Sequence, residues 1–303
     1  MVQYVIFSES LRCYYKTSIC SKATIVIFIV NMFTFFVPFL LAYKTQGLWQ
    51  KTDHYREQPE VHFKYDYFVL LEADKIEKPV ICTTFPSLIY VTEVYDTCKS
   101  IKVREEDHNK DNLNDKIIFE VEADLDTYEN VYSVTVILIF DYKLHSYSQF
   151  QMESAGWIEC HSPFGGAKLH VTSDLRLRQR QPLRHKGRDL RFNTTLSIES
   201  ELGLSSFLQA YAERNITTRL DNIYSTWTRG KAAGDPFKFS LGINILEETI
   251  LYTPGFWQIM KMAWVQYLSL LYLSILISRR VKHFILDNRL VHNIKVQPWK
   301  HLH

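Results

Sequence analysis

Two long apolar runs constrain this chain more than anything else in it. Ala23 to Tyr43 (ATIVIFIVNMFTFFVPFLLAY) is uncharged, with Lys22 and Lys44 on either side. Phe256 to Ile277 (FWQIMKMAWVQYLSLLYLSILI) carries one charge, Lys261, near its start. About 20 apolar residues suffice to cross ~30 Å of hydrocarbon as a helix. Both runs are long enough, so each reads as a transmembrane helix. The first is longer than the apolar core of a cleaved signal peptide and lacks a small-residue cleavage site, so it reads as retained. Lys261 can reach the headgroups from its position near one end.

Basic flanks set orientation. Around the first run they balance. Around the second they do not: Arg279, Arg280, Lys282, Arg289 and Lys295 follow it, and only Lys238 closely precedes it. The C-terminus is therefore expected in the cytoplasm, and two spans bring the N-terminus there too. The expected organisation is a cytoplasmic tail (1–22), a first span (23–43), a luminal or extracellular domain (44–255), a second span (256–277) and a cytoplasmic tail (278–303). Of the chain's 33 acidic residues, 31 lie in that middle domain. A net charge of +2 over 303 residues gives no basic excess for nucleic acid.

The middle segment is long enough to bury its own core. Strands are expected over 61–71, 116–121, 131–144, 169–177, 192–198 and 237–252, where β-branched and aromatic residues alternate. The run VTVILIF within 131–144 is apolar on both faces, which places it centrally. Residues 201–214 have helical spacing. The fold class is a two-pass α-helical membrane protein with a large, mainly β, antiparallel sandwich-like luminal or extracellular domain.

Several residues are candidate sites. Asn193-Thr-Thr and Asn215-Ile-Thr are glycosylation sequons. Cys13 and Cys20 precede the first span, where cysteines are either plain thiols or palmitoylated. Cys82 and Cys98 would close a short disulfide loop; Cys160 is the odd luminal thiol. Asp107, Asn109, Asp111 and Asp115 alternate as oxygen ligands of a Ca²⁺ loop do, although Ile118 stands where a bidentate Glu is expected. The other reading is a hairpin turn closed by Asp and Asn. Arg176, Arg178 and Arg180 alternate on one strand face, either a solvated edge strand or a face for an acidic partner. Asn31 and Gln266 are polar groups inside the two spans, at depths that suit a hydrogen bond between them or to a partner's helix. No catalytic motif is present: no G-x-S-x-G, H-E-x-x-H, P-loop or zinc spacing. Structural Ca²⁺ is the one cofactor the sequence suggests.

The chain resembles the transmembrane protein 231 family of ciliary transition-zone proteins along nearly its whole length. The resemblance rests on Cys20-Ser-Lys-Ala23, Glu57-Gln-Pro59, Arg104-Glu-Glu-Asp107 with Asp115, Ser173-Asp-Leu-Arg-Leu-Arg178, Gln181-Pro-Leu183, Tyr211-Ala-Glu-Arg-Asn215, and Pro254-Gly-Phe-Trp257 with Ala263-Trp-Val-Gln-Tyr267. It implies a multi-pass protein of the ciliary membrane at the transition zone, within the Meckel syndrome/B9 complex. Implied partners are tectonic proteins, meckelin, B9-domain proteins and other small transition-zone membrane proteins; the basic cytoplasmic tails can also touch anionic membrane lipid. The implied role is a scaffold for the diffusion barrier that controls ciliary membrane composition, ciliogenesis and Hedgehog signalling. The family has a glycine where Asn112 stands, a departure in the candidate Ca²⁺ loop. Topology alone also admits a subunit of a two-span ion channel or a luminal ligand receptor. Against the channel, the second span lacks an acidic ring or Gly-rich filter.

Overall fold

The computed structural model describes residues 14–19, 21–45, 49–74, 79–91, 98–125, 130–198, 203–230 and 234–296. Cys13 and Cys20 lie outside them. The chain divides into two compact units, one of residues 1–51 with 254–303 and one of residues 52–253.

The first unit is helical. Helix α1 (Lys22–Lys44) is opened by Ser21, whose hydroxyl accepts a hydrogen bond from the Thr24 N–H, an N-cap. Helix α4 (Phe256–Asp287) runs 32 residues, about 48 Å at 1.5 Å per residue. It therefore continues well past the apolar run. The two helices pack together, and their buried residues are mostly small. Ala23, Thr34, Pro38 and Ala42 are buried on α1, Ala263 and Ser278 on α4. Small residues let helix backbones approach where no hydrophobic effect drives them together. The large side chains point outward: Phe28, Phe33 and Phe36 on α1, Trp264, Val265 and Tyr272 on α4 are all more than half exposed. A soluble protein would bury them; lipid would surround them. Outside the helices, β1 (Tyr14–Lys16) pairs antiparallel with β14 (Ile294–Val296).

The second unit is a β-sandwich. One five-stranded sheet has the order β10 (Arg188–Phe192), β8 (Gln149–Gly166), β7 (Val131–Leu144), β3 (Glu60–Ala73), β4 (Val80–Thr83). The other has the order β11 (Ile216–Thr228), β9 (Lys168–Gln179), β12 (Phe237–Ile245), β6 (Lys116–Ala123), β5 (Cys98–Glu106). Most pairings are antiparallel; β10 with β8 and β12 with β9 are parallel. A two-stranded sheet, β2 (Asp53–Glu57) with β13 (Glu248–Tyr252), completes the unit. Helices α2 (Pro86–Val91) and α3 (Gly203–Glu213) are short.

Strand β7 lies at the centre of its sheet and is buried on both faces. Val134, Val136, Leu138 and Phe140 enter the core between the sheets, where Phe63 and Phe119 also meet. Ile137 and Ile139 point the other way, under Leu196, Ile198 and Phe207 of α3. The doubly apolar run follows from this position, since each face has its own core. Two expected strands differ. Residues 193–198 are not a strand; they lie across the outer face of β7 and β8, where Leu196 N donates to Glu153. Residues 237–252 break at Leu246–Glu247 into β12 and β13, which belong to different sheets.

Tyr211 fastens α3 to this layer. Its buried hydroxyl accepts from Ala155 N (3.0 Å) on β8 and from Thr218 N (2.9 Å) on β11. Cys82 and Cys98 form a disulfide with Cα atoms 6.1 Å apart. It joins β4, an edge of one sheet, to β5, an edge of the other, and so clamps one side of the sandwich. Two outcomes are expected in chemical denaturation of the purified full-length protein. Tyr211→Phe leaves two buried N–H groups without an acceptor and costs roughly 2–4 kcal/mol. Removing both cysteines (Cys82→Ala with Cys98→Ala) opens a loop of sequence separation 16 and costs about 3 kcal/mol on the chain-entropy account.

Candidate functional site

The strands closest in sequence to the two helices hold the least expected chemistry. Across β2 and β13, Glu57 stands directly opposite Glu248, and Glu248 is 7% exposed. Each glutamate is held by one oxygen. Glu57 Oε1 accepts from His145 N (2.8 Å) and Ser146 N (2.9 Å), in the turn between β7 and β8. Glu248 Oε2 accepts from Leu177 N (2.7 Å) on β9. The small sheet is thus tied to both large ones. Gln179 strengthens the tie, donating to Leu251 O and accepting from Leu251 N as a strand would.

Among the described residues, Glu57 Oε2, Glu248 Oε1 and the hydroxyls of Tyr55, Tyr142 and Ser148 are buried without a well-formed hydrogen bond, although the Tyr55 phenol lies close enough to Glu57 and Ser148 to interact with both. They share one neighbourhood, since Tyr142 feels the charges of Glu248, Glu57 and the Tyr55 phenol. Tyr55, Tyr147 and Tyr252 close over it, with ring centroids 5.2–5.4 Å apart. Such a chamber suits ordered water or a retained proton. Burial pushes the Glu248 carboxyl up to about 7, with Asp221 adding to the rise and the Leu177 N–H and Arg176 opposing it. Burial likewise raises both the Tyr55 and Tyr142 phenols.

The other sequence candidates fall elsewhere. The Asp107–Asp115 loop is a hydrogen-bonded hairpin turn. Asp107 accepts from Lys110 N and Asn112 N, Asp111 from Leu113 N and the Asn109 amide, Asp115 from His108 N and the Gln58 amide. All six carboxylate oxygens therefore face N–H donors. Asn112 takes a left-handed φ of 68°, which asparagine tolerates better than most residues. The Gln58 amide foremost, then the His108 N–H, hold the Asp115 carboxyl below its ordinary range. Among the described residues no group of three or more His, Cys, Asp or Glu is arranged to hold a metal.

Asn193 and Asn215 are exposed, the first after β10 and the second between α3 and β11. Cys160 is buried and free. Strand β9, with Arg176 and Arg178, runs between β11 and β12, so the expected edge strand is an interior one. Asn31 does meet α4, but its partner is the Lys282 ammonium. Gln266 is exposed and lies 16 positions before Lys282 on α4. No local signal marks the Asn31–Lys282 pairing, because Lys282 lies past the apolar run. The Glu57–Glu248 opposition was equally hidden, since 191 residues of chain separate them.

The protonated Glu248 carboxyl is the form the fold prefers. Its folded pKa of about 7 exceeds the ordinary 4.5, so its stabilising contribution is full below pH ~4.5 and lost as pH rises through ~7. The difference amounts to ~3 kcal/mol. Melting of the full-length protein should accordingly show declining stability between pH 5 and 8, and Glu248→Gln should flatten that decline.

The description "Transmembrane protein 231" belongs to a family model that matches residues 1–295. Relatives bearing that name include the Xenopus tropicalis protein, 36% identical over 296 residues, covering 96% of this chain and 95% of the relative. The rat protein is 35% identical over 304 residues, covering 98% and 96%. The human protein is 34% identical over 302 residues, covering 98% and 96%. A solved proton-activated chloride channel covers 87% of this chain and 99% of its own at 7% identity and a TM-score of 0.25, too loose a likeness to bear on fold or activity. With its two candidate spans and a match along nearly its full length, this membrane protein belongs to the Transmembrane protein 231 family.

Proposed function

We propose that this chain is a non-enzymatic membrane scaffold of the ciliary transition zone, within the Meckel syndrome/B9 complex. In that role it helps build the diffusion barrier that controls ciliary membrane composition, and through it ciliogenesis and Hedgehog signalling. The single observation behind the proposal is the correspondence of residues 1–295 with one family of membrane proteins. The architecture suits the role. A disulfide-clamped sandwich gives a rigid platform on one side of the membrane for tectonic proteins and meckelin. Basic tails, expected in the cytoplasm, face B9-domain proteins and lipid. Exposed Asn193 and Asn215 are open to glycosylation on the luminal side.

The test is a tagged full-length chain in ciliated cells. It is expected at the ciliary base, with both termini reached by protease only after permeabilisation and with a glycosidase-sensitive mobility. Removing residues 52–253 should abolish co-purification of tectonic proteins. A diffuse plasma-membrane distribution, or termini digested on intact cells, would count against the proposal. So would an anion or cation current from the reconstituted protein, which would favour a channel.

A further inference from the structure

The helical unit is strongly cationic. Residues 1–51 and 254–303 carry twelve Lys and Arg against two acidic residues, Glu9 and Asp287. Glu9 lies outside the described residues. Asp287 is already engaged by the Tyr15 hydroxyl, Lys295 (3.3 Å) and His283 (2.6 Å). Arg279 and Arg280 are exposed on α4 and form no ion pair among the described residues. Lys282 spends its ammonium on Asn31, a neutral acceptor, so its charge too is uncompensated.

The Lys282 side chain reaches from the C-terminal part of α4 to Asn31 on α1. Asn31 lies about 13 Å along α1 from Lys22, at 1.5 Å per residue. Nearer the chain ends, Ala23 and Lys22 share a cavity of about 450 Å³ with Leu290, Val291, His292 and Lys16. The first turns of α1 therefore run beside the last turns of α4. Ile25, Phe28 and Ile29 are exposed on the former, Arg279, Arg280 and His283 on the latter. This end of the helix pair exposes both apolar side chains suited to acyl chains and guanidinium groups without an ion-pair partner among the described residues. Cations at the edge of the hydrocarbon gain from an anionic counter-charge. The anion a bilayer can supply there is phosphate, which arginine grips with two parallel hydrogen bonds.

We propose that this end of the helix pair binds the phosphate headgroups of anionic phospholipids in the adjoining leaflet, with Arg279 and Arg280 as the contacting residues and Lys282–Asn31 as the positioning bond. The proposal rests on the two-span reading but not on residence in the transition zone. Its test uses purified full-length protein in nanodiscs of phosphatidylcholine alone, or mixed with phosphatidylserine or a phosphoinositide, with retained lipid counted by native mass spectrometry. Wild type should retain anionic lipid selectively, and free inorganic phosphate should not displace it. Arg279→Gln with Arg280→Gln should weaken retention about thirtyfold, at ~1 kcal/mol per residue. Arg279→Lys with Arg280→Lys should keep most of it. An intact Cys82–Cys98 bridge on non-reducing gels reports that each variant has folded. Equal retention by wild type and the Gln variant would overturn the proposal. So would a wild type without preference for anionic lipid, which would assign this surface to an acidic segment of a protein partner. Displacement by free phosphate would overturn it in favour of a soluble ligand. None of these readouts depends on where the protein resides in a cell, so failure here leaves the scaffold proposal standing, and the reverse.

Discussion

Asp53 and Tyr252 face each other across β2 and β13, so the first and last strands of the sandwich unit enter and leave it side by side. Two helices that must pack as a hairpin need a domain of this kind between them. The same closure recurs outward in the sequence. α1 packs with α4, and Tyr14 pairs with Val296 in the β1–β14 strands. Three successive pairings join the early part of the chain to the late part. A bilayer core offers no hydrogen-bond partner to a peptide group, so the spans satisfy themselves as helices, and the strands carry the closure outside it.

The β2–β13 sheet does more than close the unit. Through Glu57 it reaches the turn between β7 and β8, and through Glu248 and Gln179 it reaches β9. It therefore couples both large sheets at one end, while the Cys82–Cys98 bridge couples them along one edge. The coupling uses two opposed carboxylates in a poorly solvated chamber, a costly arrangement unless one of them keeps its proton. A hydrophobic pair in the same register would hold the strands with less dependence on acidity, so the chamber makes this end of the sandwich sensitive to its surroundings.

The fold was legible where each face of an element had a consistent partner. The doubly apolar run of β7 shows both of its cores, and the two long apolar runs show their solvent. Strand β8 was not legible. Its stretch Glu153–Glu159 mixes a buried glutamate with small residues, because Glu153 accepts from Leu196 N and Lys64. Gly156 stands where a Cβ would come within 3.0 Å of the Phe140 ring. Residues 193–198 have strand composition because they too cover an apolar sheet face, but they do so with their side chains rather than in a ladder. The Arg176–Arg180 alternation is compatible with either an edge or an interior strand, and register alone decides between them. At the candidate sites, the short loop between Cys82 and Cys98 favoured their bridge while the odd Cys160 spoke against it. The Glu57–Glu248 chamber and Lys282 as the partner of Asn31 arise from long-range pairing, for which one sequence carries no local signal.

The Asn31–Lys282 hydrogen bond spans 251 residues of sequence. At ribosomal speeds of roughly 5–20 residues per second, the first helix waits on the order of 10–50 s in the bilayer before its polar partner has been synthesised. During that interval the asparagine amide lies in hydrocarbon without the lysine that satisfies it in the finished fold, and only the arrival of the final helix ends its exposure.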